Sequence, residues 1–320
     1  MKIAFLTPEY PHSKTGNSGG IGTSIKNLAM GLLDKGCKVV VLVYSQSSDA
    51  VFQDQGIEIH QIKNIKFKGL SWWLTRKKIE RKINSLYQNN KIDVIEAPDW
   101  TGITSFIQPP KCPIVIRLHG SDTYFCHLEK RPVKWINKFH EKRALQKATA
   151  LLSVSQFTAA MTNQVFGLNK KFTIIPNGID TNFFKASDTS IVKENTLLYF
   201  GSIIRKKGLL ELPLIFNEVV KKRKDIELII IGEDVRDIVS GSPSTWELMK
   251  PLFTKESFQK VNYLGSVPYA DIKNEVEQAT ICIFPSFAEA LPVSWLEAMA
   301  MKKAIVTSNV GWAKEVIDDG

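Results

Sequence analysis

The sequence predicts an α/β protein of two Rossmann-like, doubly wound parallel-sheet domains, residues 1–185 and 186–320. Three observations lead there. Short apolar runs of strand length alternate with longer segments whose apolar residues keep helical spacing. Glycine-bearing turns follow the first strand of each series, at Gly19-Gly20 and again at Gly201 and Gly208. A polar, unpatterned stretch, Thr181–Asn195, separates the two series and reads as a linker.

Lys2–Thr7 is the first expected strand. Ile21, Ile25, Leu28, Leu32 and Leu33 then keep helical spacing, and Gly36 is a stop signal. Val39–Val43 follows as a buried strand. Such a unit places a ligand crevice at the carboxyl edge of its sheet. Gly19 and Gly20 allow backbone to approach an anion closely. A plain turn explains them equally well, and Gly20-Ile21-Gly22 lacks the third glycine of the dinucleotide fingerprint.

Lys63–Lys91 holds nine Lys or Arg and one acid, Glu80. Trp72, Ile79, Ile83, Leu86 and Tyr87 share one helical face; Arg76, Lys77, Lys78 and Lys82 fill the rest. Two readings stand: an ordinary surface helix with solvated charges, or a basic, Trp-tipped contact to a membrane surface or polyanionic acceptor. Arg131–Lys147 repeats the basic bias. Nucleic acid is not expected, for no recognition motif accompanies the charge. Ile92–Ile95 and Ile114–Leu118 are further strands, the second ending in His119-Gly120-Ser121-Asp122. A lone His at a strand's carboxyl end serves structure as readily as chemistry, and Asp122 is a secondary candidate. Leu151–Ser155 and Phe172–Ile175 complete the strands of the first series, before the turn signal Asn177-Gly178.

Thr196–Gly201 opens the second series. Arg205, Lys206 and Lys207 bunch before Gly208 and a helix over Leu209–Lys221, either as solvated charge or as a grip on phosphates. Ile226–Gly232, Val261–Val267, Ile281–Phe284 and Ala304–Thr307 are the remaining strands. After Ile281–Phe284 come Glu289, a turn through Ala290 and Pro292, and a helix over Val293–Met301 that carries Glu297. Two acceptor-only carboxylates would then flank the unpartnered first-turn amides of a helix, an arrangement that suits a nucleotide sugar, with hydroxyls at both ends and phosphates between. The simpler alternative is a Glu289 that favours a helix start electrostatically and a solvated Glu297.

Composition narrows the class. Hydrophobic residues make up 44% of the chain, as in soluble α/β proteins, and no apolar run approaches the ~20 residues of a membrane helix. The start, MKIAFLTPEY, is too short in its apolar part for a signal peptide, so a cytoplasmic protein is expected. Cys37, Cys112, Cys126 and Cys282 lie far apart in or beside apolar runs and read as reduced, buried thiols. The net charge of +10 is uneven. Residues 1–185 hold 26 Lys or Arg against 13 Asp or Glu; the rest hold 16 against 19. The first half is therefore expected to face something acidic or an anionic surface.

The Glu289-x7-Glu297 pair, preceded by Pro285-Ser286 and followed by Ala298-Met299-Ala300, resembles the signature of glycosyltransferase family 4. Gly19-Gly20, His119-Gly120, Asn177-Gly178 and Lys207-Gly208 stand in the family's order, so the resemblance covers nearly the whole chain. It implies the GT-B fold, two Rossmann-like domains facing a central cleft, with acceptor and nucleotide-sugar donor assigned to the first and second. It implies that Glu289 contacts sugar hydroxyls, Glu297 the ribose, and Arg and Lys side chains the donor diphosphate. Gly19 and Gly20 would lie near the donor phosphates and acceptor, and His119 beside the reacting sugar. Here Ser202 stands where many members have Arg, so Arg205 is expected to supply that charge beside Lys207. Ala290 and Pro292 replace common glycines, leaving Leu291 and Val293 as the amide donors. Members usually continue past the final Asp319-Gly320 with another strand and several helices. The second domain is accordingly expected to be truncated, and a 320-residue form less stable or less active than a longer one.

The expected reaction is transfer of a sugar from a nucleotide diphosphate, UDP ahead of GDP, to a hydroxyl, with anomeric configuration retained. Lys207, Arg205 and the amides near Val293 would stabilise the departing diphosphate. There is no Asp-x-Asp; the nearest match, Asp225-Ile226-Glu227, opens a strand. No metal or cofactor is therefore expected. The acceptor is expected to be a saccharide or lipid-linked saccharide of a cell-envelope polysaccharide or glycolipid pathway, with peripheral contact to the inner face of the membrane. A nucleotide-sugar epimerase of similar fold and a non-catalytic nucleotide-sugar-binding protein are the alternatives.

Overall fold

The computed structural model describes residues 1–16, 18–108, 111–187 and 192–318. The chain divides into two compact units, Met1–Gly178 and Ile179–Gly320. The division falls at the Asn177-Gly178 turn, ahead of the expected boundary after Lys185. Of the expected linker Thr181–Asn195, residues 188–191 lie outside the described residues.

The first unit is an eight-stranded sheet. Its strands are β1 (Lys2–Thr7), β2 (Lys38–Gln46), β3 (Ala50–Asp54), β4 (Ile57–Lys63), β5 (Val94–Pro98), β6 (Ile114–Leu118), β7 (Ala150–Ser153) and β8 (Thr173–Ile174). They lie in the order β3-β4-β2-β1-β5-β6-β7-β8. All neighbours are parallel except β3 and β4. The helices are α1 (Gly20–Asp34), α2 (Ser71–Gln88), α3 (Asp122–Leu128), α4 (Trp135–Lys147) and α5 (Gln156–Phe166). Strands covered on both faces lose their alternation, and β2 accordingly reads Val39-Val40-Val41-Leu42-Val43, every residue buried. One face packs with Ile25 and Ala29 of α1, the other with Ile79, Ile83 and Leu86 of α2.

Three sequence expectations change here. The β3–β4 hairpin was not expected; its signal is Gln55-Gly56, both at positive φ, ahead of the alternating Ile57-Glu58-Ile59-His60. Arg76 is not a solvated charge. It is buried, and its guanidinium donates to the carbonyls of Gly102 and Ile103 at 3.4 and 3.1 Å. Trp72, placed by periodicity on the inward face, is 44% exposed.

The second unit is a five-stranded, wholly parallel sheet of β9 (Thr196–Phe200), β10 (Glu227–Ile231), β11 (Val261–Tyr263), β12 (Ile281–Phe284) and β13 (Ala304–Thr307). Its order is β11-β10-β9-β12-β13, which places β9 and β12 side by side. The helices are α6 (Leu212–Lys222), α7 (Thr245–Met249), α8 (Lys255–Phe258), α9 (Tyr269–Gln278) and α10 (Val293–Ala300). The inward face of α10 is not the one that Leu296, Met299 and Ala300 suggest. Met299 is exposed, whereas Trp295, Glu297 and Ala298 are buried, because Trp295 packs on Trp312 at 4.5 Å and Phe284 at 6.1 Å between ring centroids.

Backbone contacts in the first unit are tight where the kinked 3-10 segment Trp100–Phe106 meets α4. Gly102 has φ +56°, and a Cβ there would lie 2.3 Å from the carbonyl carbon of His140. Gly31, on the exposed side of α1, has nothing within 4 Å of such a Cβ. Gly102→Ala should therefore destabilise the protein by more than about 2 kcal/mol. Gly31→Ala should stabilise it by roughly 0.5–1 kcal/mol. Urea unfolding of the two variants beside the parent checks both signs.

Candidate active site

In the second unit, adjacency of β9 and β12 brings together the loops that follow them. The loop after β9 makes a single helical turn, Arg205–Lys207, and reverses at Gly208, φ +73°. A Cβ on Gly208 would lie 2.0 Å from the carbonyl oxygen of Pro285, so only glycine lets the turn come this close to the end of β12. The amides of Phe287 and Ala288 donate to the Lys206 carbonyl at 3.1 and 3.2 Å. These contacts pin the two loops together and set Lys207 Nζ 3.1 Å from Glu289 Oε1. The ammonium lies over the main chain of Gly201, where a Cβ would meet it at 3.3 Å.

Glu289 and Glu297 are both nearly out of water, at 8% and 3% exposure. Burial raises the Glu297 carboxyl to about 7, against the opposing pull of the Tyr269 hydroxyl and of Lys207. Lys207 thus acts on both carboxylates. Helix α10 begins immediately beyond Glu289, with Pro292 as its N-cap and no side chain capping the first turn. Leu291 and Val293 are buried beside it. One cation, two carboxylates and a helix N-terminus form a set able to take an anion at the helix end and hydroxyls at the acids.

Arg205 is anchored within the second unit. It forms a two-pronged ion pair with the buried Asp237, Nε to Oδ1 at 2.8 Å and Nη2 to Oδ2 at 2.7 Å. Arg205, and the Ser240 amide and hydroxyl behind it, hold the Asp237 carboxyl far below the usual range. Ser202 follows Gly201, and its carbonyl accepts from the buried Tyr199 hydroxyl at 3.0 Å. Asp225 of the nearest Asp-x-Asp match bonds to Arg223 and Asn195. Among the described residues no group of three or more His, Cys, Asp or Glu side chains is placed to hold a metal ion.

The first unit also gathers residues at its strand ends. Gly19 is the N-cap and Gly20 the first residue of α1. The expected anion position there is taken by the chain itself: Glu9 Oε1 accepts from the Gly22 amide at 3.0 Å. A carboxylate at a helix N-terminus is favoured by the same partial charges that would attract a phosphate. His119 lies directly after β6, and its amide donates to Asp99 Oδ1 at 2.8 Å. Burial and then Arg117 lower its imidazole to about 3, so His119 is neutral at physiological pH. Asp99 is fully buried; burial and nearby Glu141 raise it to about 7, against the His119 amide. Glu141, on α4, accepts from the amides of Thr101, Asp122 and Thr123 and from the Thr123 hydroxyl. Asp122 is held by Arg131 and Asn137.

Sequence reasoning missed Glu9, Asp99, Glu141, Asp237 and Tyr269. Glu141 had a signal, as the one acid within the basic Arg131–Lys147 segment. Asp99 had another, as a carboxylate directly after a strand. The remaining three carry no local mark, since their partners are distant in sequence.

Residues 18–183 match the model of Glycosyltransferase Family 4, and residues 180–320 match that of Glycosyl transferases group 1. An uncharacterised glycosyltransferase of Methanocaldococcus jannaschii is 26% identical over 99% of this chain and 83% of its own length. A phosphatidylinositol N-acetylglucosaminyltransferase component of Arabidopsis thaliana is 23% identical over 95% of this chain and 67% of its own. Among solved structures, HepE of Anabaena in complex with UDP and glucose has a TM-score of 0.74 and 19% identity over 100% of this chain and 84% of its own. The two Rossmann-like sheets are those of the GT-B fold. Because the first of the two models spans more than half of the sequence, the chain belongs to glycosyltransferase family 4 and is a glycosyltransferase.

Proposed function

We propose that the protein is a retaining glycosyltransferase that moves a sugar from a UDP-sugar to a hydroxyl of a polysaccharide or glycolipid precursor. The observation that carries this is the convergence of Lys207, Glu289 and Glu297 at an uncapped helix N-terminus. The donor's diphosphate draws Lys207 from Glu289 and lies at the start of α10, beside the amide of Val293. Glu289 then accepts from the sugar hydroxyls and Glu297 from the ribose. Negative charge grows on the diphosphate as the glycosidic bond breaks, and a fixed ammonium stabilises that charge more than the ground state. Lys207 takes the part that a divalent metal has elsewhere. Arg205, paired with Asp237 through Nε and Nη2, would assist from the neighbouring turn. UDP is favoured by likeness to HepE, whose structure holds UDP and glucose.

His119 is neutral in this reading, a hydrogen-bonding group on the acceptor side and not a proton donor. A lipid-linked acceptor is supported by the phosphatidylinositol relative and by an aromatic surface on the first unit. Trp135, Phe139 and Trp72 are 77%, 46% and 44% exposed. Phe106 bridges Trp72 and Phe139, with ring centroids 5.6 and 6.4 Å away, and Arg143 lies over it at 4.5 Å. Lys134 and Lys138 accompany them, at the start of α4 and within it. Aromatic side chains among cations suit the headgroup layer of an anionic bilayer, on the cytoplasmic face. No helix among the described residues is long and apolar enough to cross a membrane.

Lys207→Ala should lower kcat by about 10²–10³-fold, and should also lower the unfolding midpoint, because it leaves the Glu289 carboxylate nearly buried without its cation. EDTA should leave the parent's rate unchanged, and NMR of the first product formed should show the donor's anomer. An inverted anomer or loss of activity in EDTA overturns the reading.

Glu297 must be ionised to accept two hydroxyls, and its carboxyl loses the proton near pH 7. The KM for the UDP-sugar should therefore fall as pH rises from 6 to 8, since the donor's diphosphate diester keeps its charge throughout. Glu297→Gln should raise KM and flatten this profile.

Vesicles containing phosphatidylglycerol should sediment the protein, with binding weakened by salt. Trp135→Ser with Phe139→Ser should cut the bound fraction at least about fivefold, without changing turnover of a soluble acceptor.

A further inference from the structure

Tyr269 is the first residue of α9 and stands in no motif of the sequence, yet it meets the donor carboxylate directly. Its phenol donates to Glu297 Oε1 at 2.5 Å. The ring is held on two sides. Phe183 lies nearly parallel to it, with centroids 6.1 Å apart and planes at 16°. Phe184, itself fully buried, meets it edge-on at 5.6 Å. Both come from the segment that opens the second unit.

Glu297 is 3% exposed, and its second oxygen, Oε2, has no hydrogen bond to any described residue. Oε2 is not among the sealed-off side-chain oxygens, so it is open to accept from a ligand hydroxyl. The phenol makes this arrangement specific. With Oε1 tied to a packed ring, Oε2 is the carboxylate oxygen with both lone pairs left to offer. The Tyr269 bond also favours the ionised carboxylate, which burial opposes.

We propose that Tyr269 is a positioning residue for the donor: its phenol fixes Glu297 through Oε1 so that Oε2 accepts the vicinal hydroxyls of the nucleotide's ribose. This rests on the reading of the Lys207, Glu289 and Glu297 cluster as a nucleotide-sugar site and adds to it a residue that makes the site discriminate ribose from its deoxy forms. The phenol stays in place when the donor enters, because Phe183 and Phe184 hold its ring. A ligand hydroxyl therefore joins Tyr269 at Glu297 and does not replace it.

The test is a thermodynamic cycle read by calorimetry at pH 8, on the full chain, with UDP and 2′,3′-dideoxy-UDP as probes. GDP and ADP and their dideoxy forms serve in the same way if they bind more tightly. The parent should bind the ribose form at least about tenfold more tightly than the dideoxy form. Tyr269→Phe keeps the ring and should weaken the ribose form about five- to tenfold. It should leave the dideoxy form within about twofold. In a Glu297→Gln background the same Tyr269→Phe change should have no further effect. Equal weakening of both nucleotides makes Tyr269 merely structural, and tighter binding of the ribose form makes its phenol a competitor; either overturns the proposal while leaving the cluster a nucleotide site. Failure of all three nucleotides to bind the parent overturns the nucleotide-site reading and this proposal together.

Discussion

The second unit depends on how closely two stretches of main chain can approach. The turn after β9 reaches the end of β12 only because Gly208 presents no Cβ toward the Pro285 carbonyl and accepts a left-handed conformation. From that contact follow the bonds of Phe287 and Ala288 to the Lys206 carbonyl, and from those the meeting of Lys207 and Glu289. Net stability is not what the ion pair contributes, since desolvation of buried charges offsets much of their attraction. It holds an ammonium and a carboxylate in fixed, largely desolvated positions at the start of α10.

The first unit solves a similar problem by different chemistry. Its strand-end loops are gathered by buried carboxylates that accept main-chain amides. Asp99 holds His119, and Glu141 holds Thr101, Asp122 and Thr123. Each acceptor uses its lone pairs on donors that would otherwise be lost to solvent at the ends of strands and helices. The cost of burying such acids shows in Asp99, which retains its proton to about pH 7. A neutral His119 beside this hub is a fixed polar group with little capacity to titrate under physiological conditions.

The fold class and most strands were legible because fully buried parallel strands leave unbroken apolar runs, as in Val39–Val43 and Ile281–Phe284. The β3–β4 hairpin was not read, because its polar alternation resembles a loop until Gln55-Gly56 is recognised as a turn. The Lys207, Glu289 and Glu297 cluster was legible through spacing and turn glycines, which are local. Arg205 shows the limit of that reasoning. Its position in the loop fits a phosphate grip, but its partner Asp237 lies 32 residues away, and nothing nearby announces a buried acid. Helix periodicity also misplaced particular residues in α2 and α10. Arg76 is buried through carbonyl partners that a hydrophobic pattern does not see, and α10 turns Trp295 inward onto Trp312 and leaves Met299 exposed.

The two margins of the larger sheet carry one more consequence. One margin ends in β8, only two residues long, and the other in β3, five residues whose last, Asp54, is bound to Lys26 and Tyr10. Neither offers a long, uncharged row of free amides and carbonyls on which a like chain could extend the sheet. Such blunt borders guard against amyloid-type stacking while leaving the helical faces bare. Extension of this sheet by a further strand is disfavoured at both of its margins.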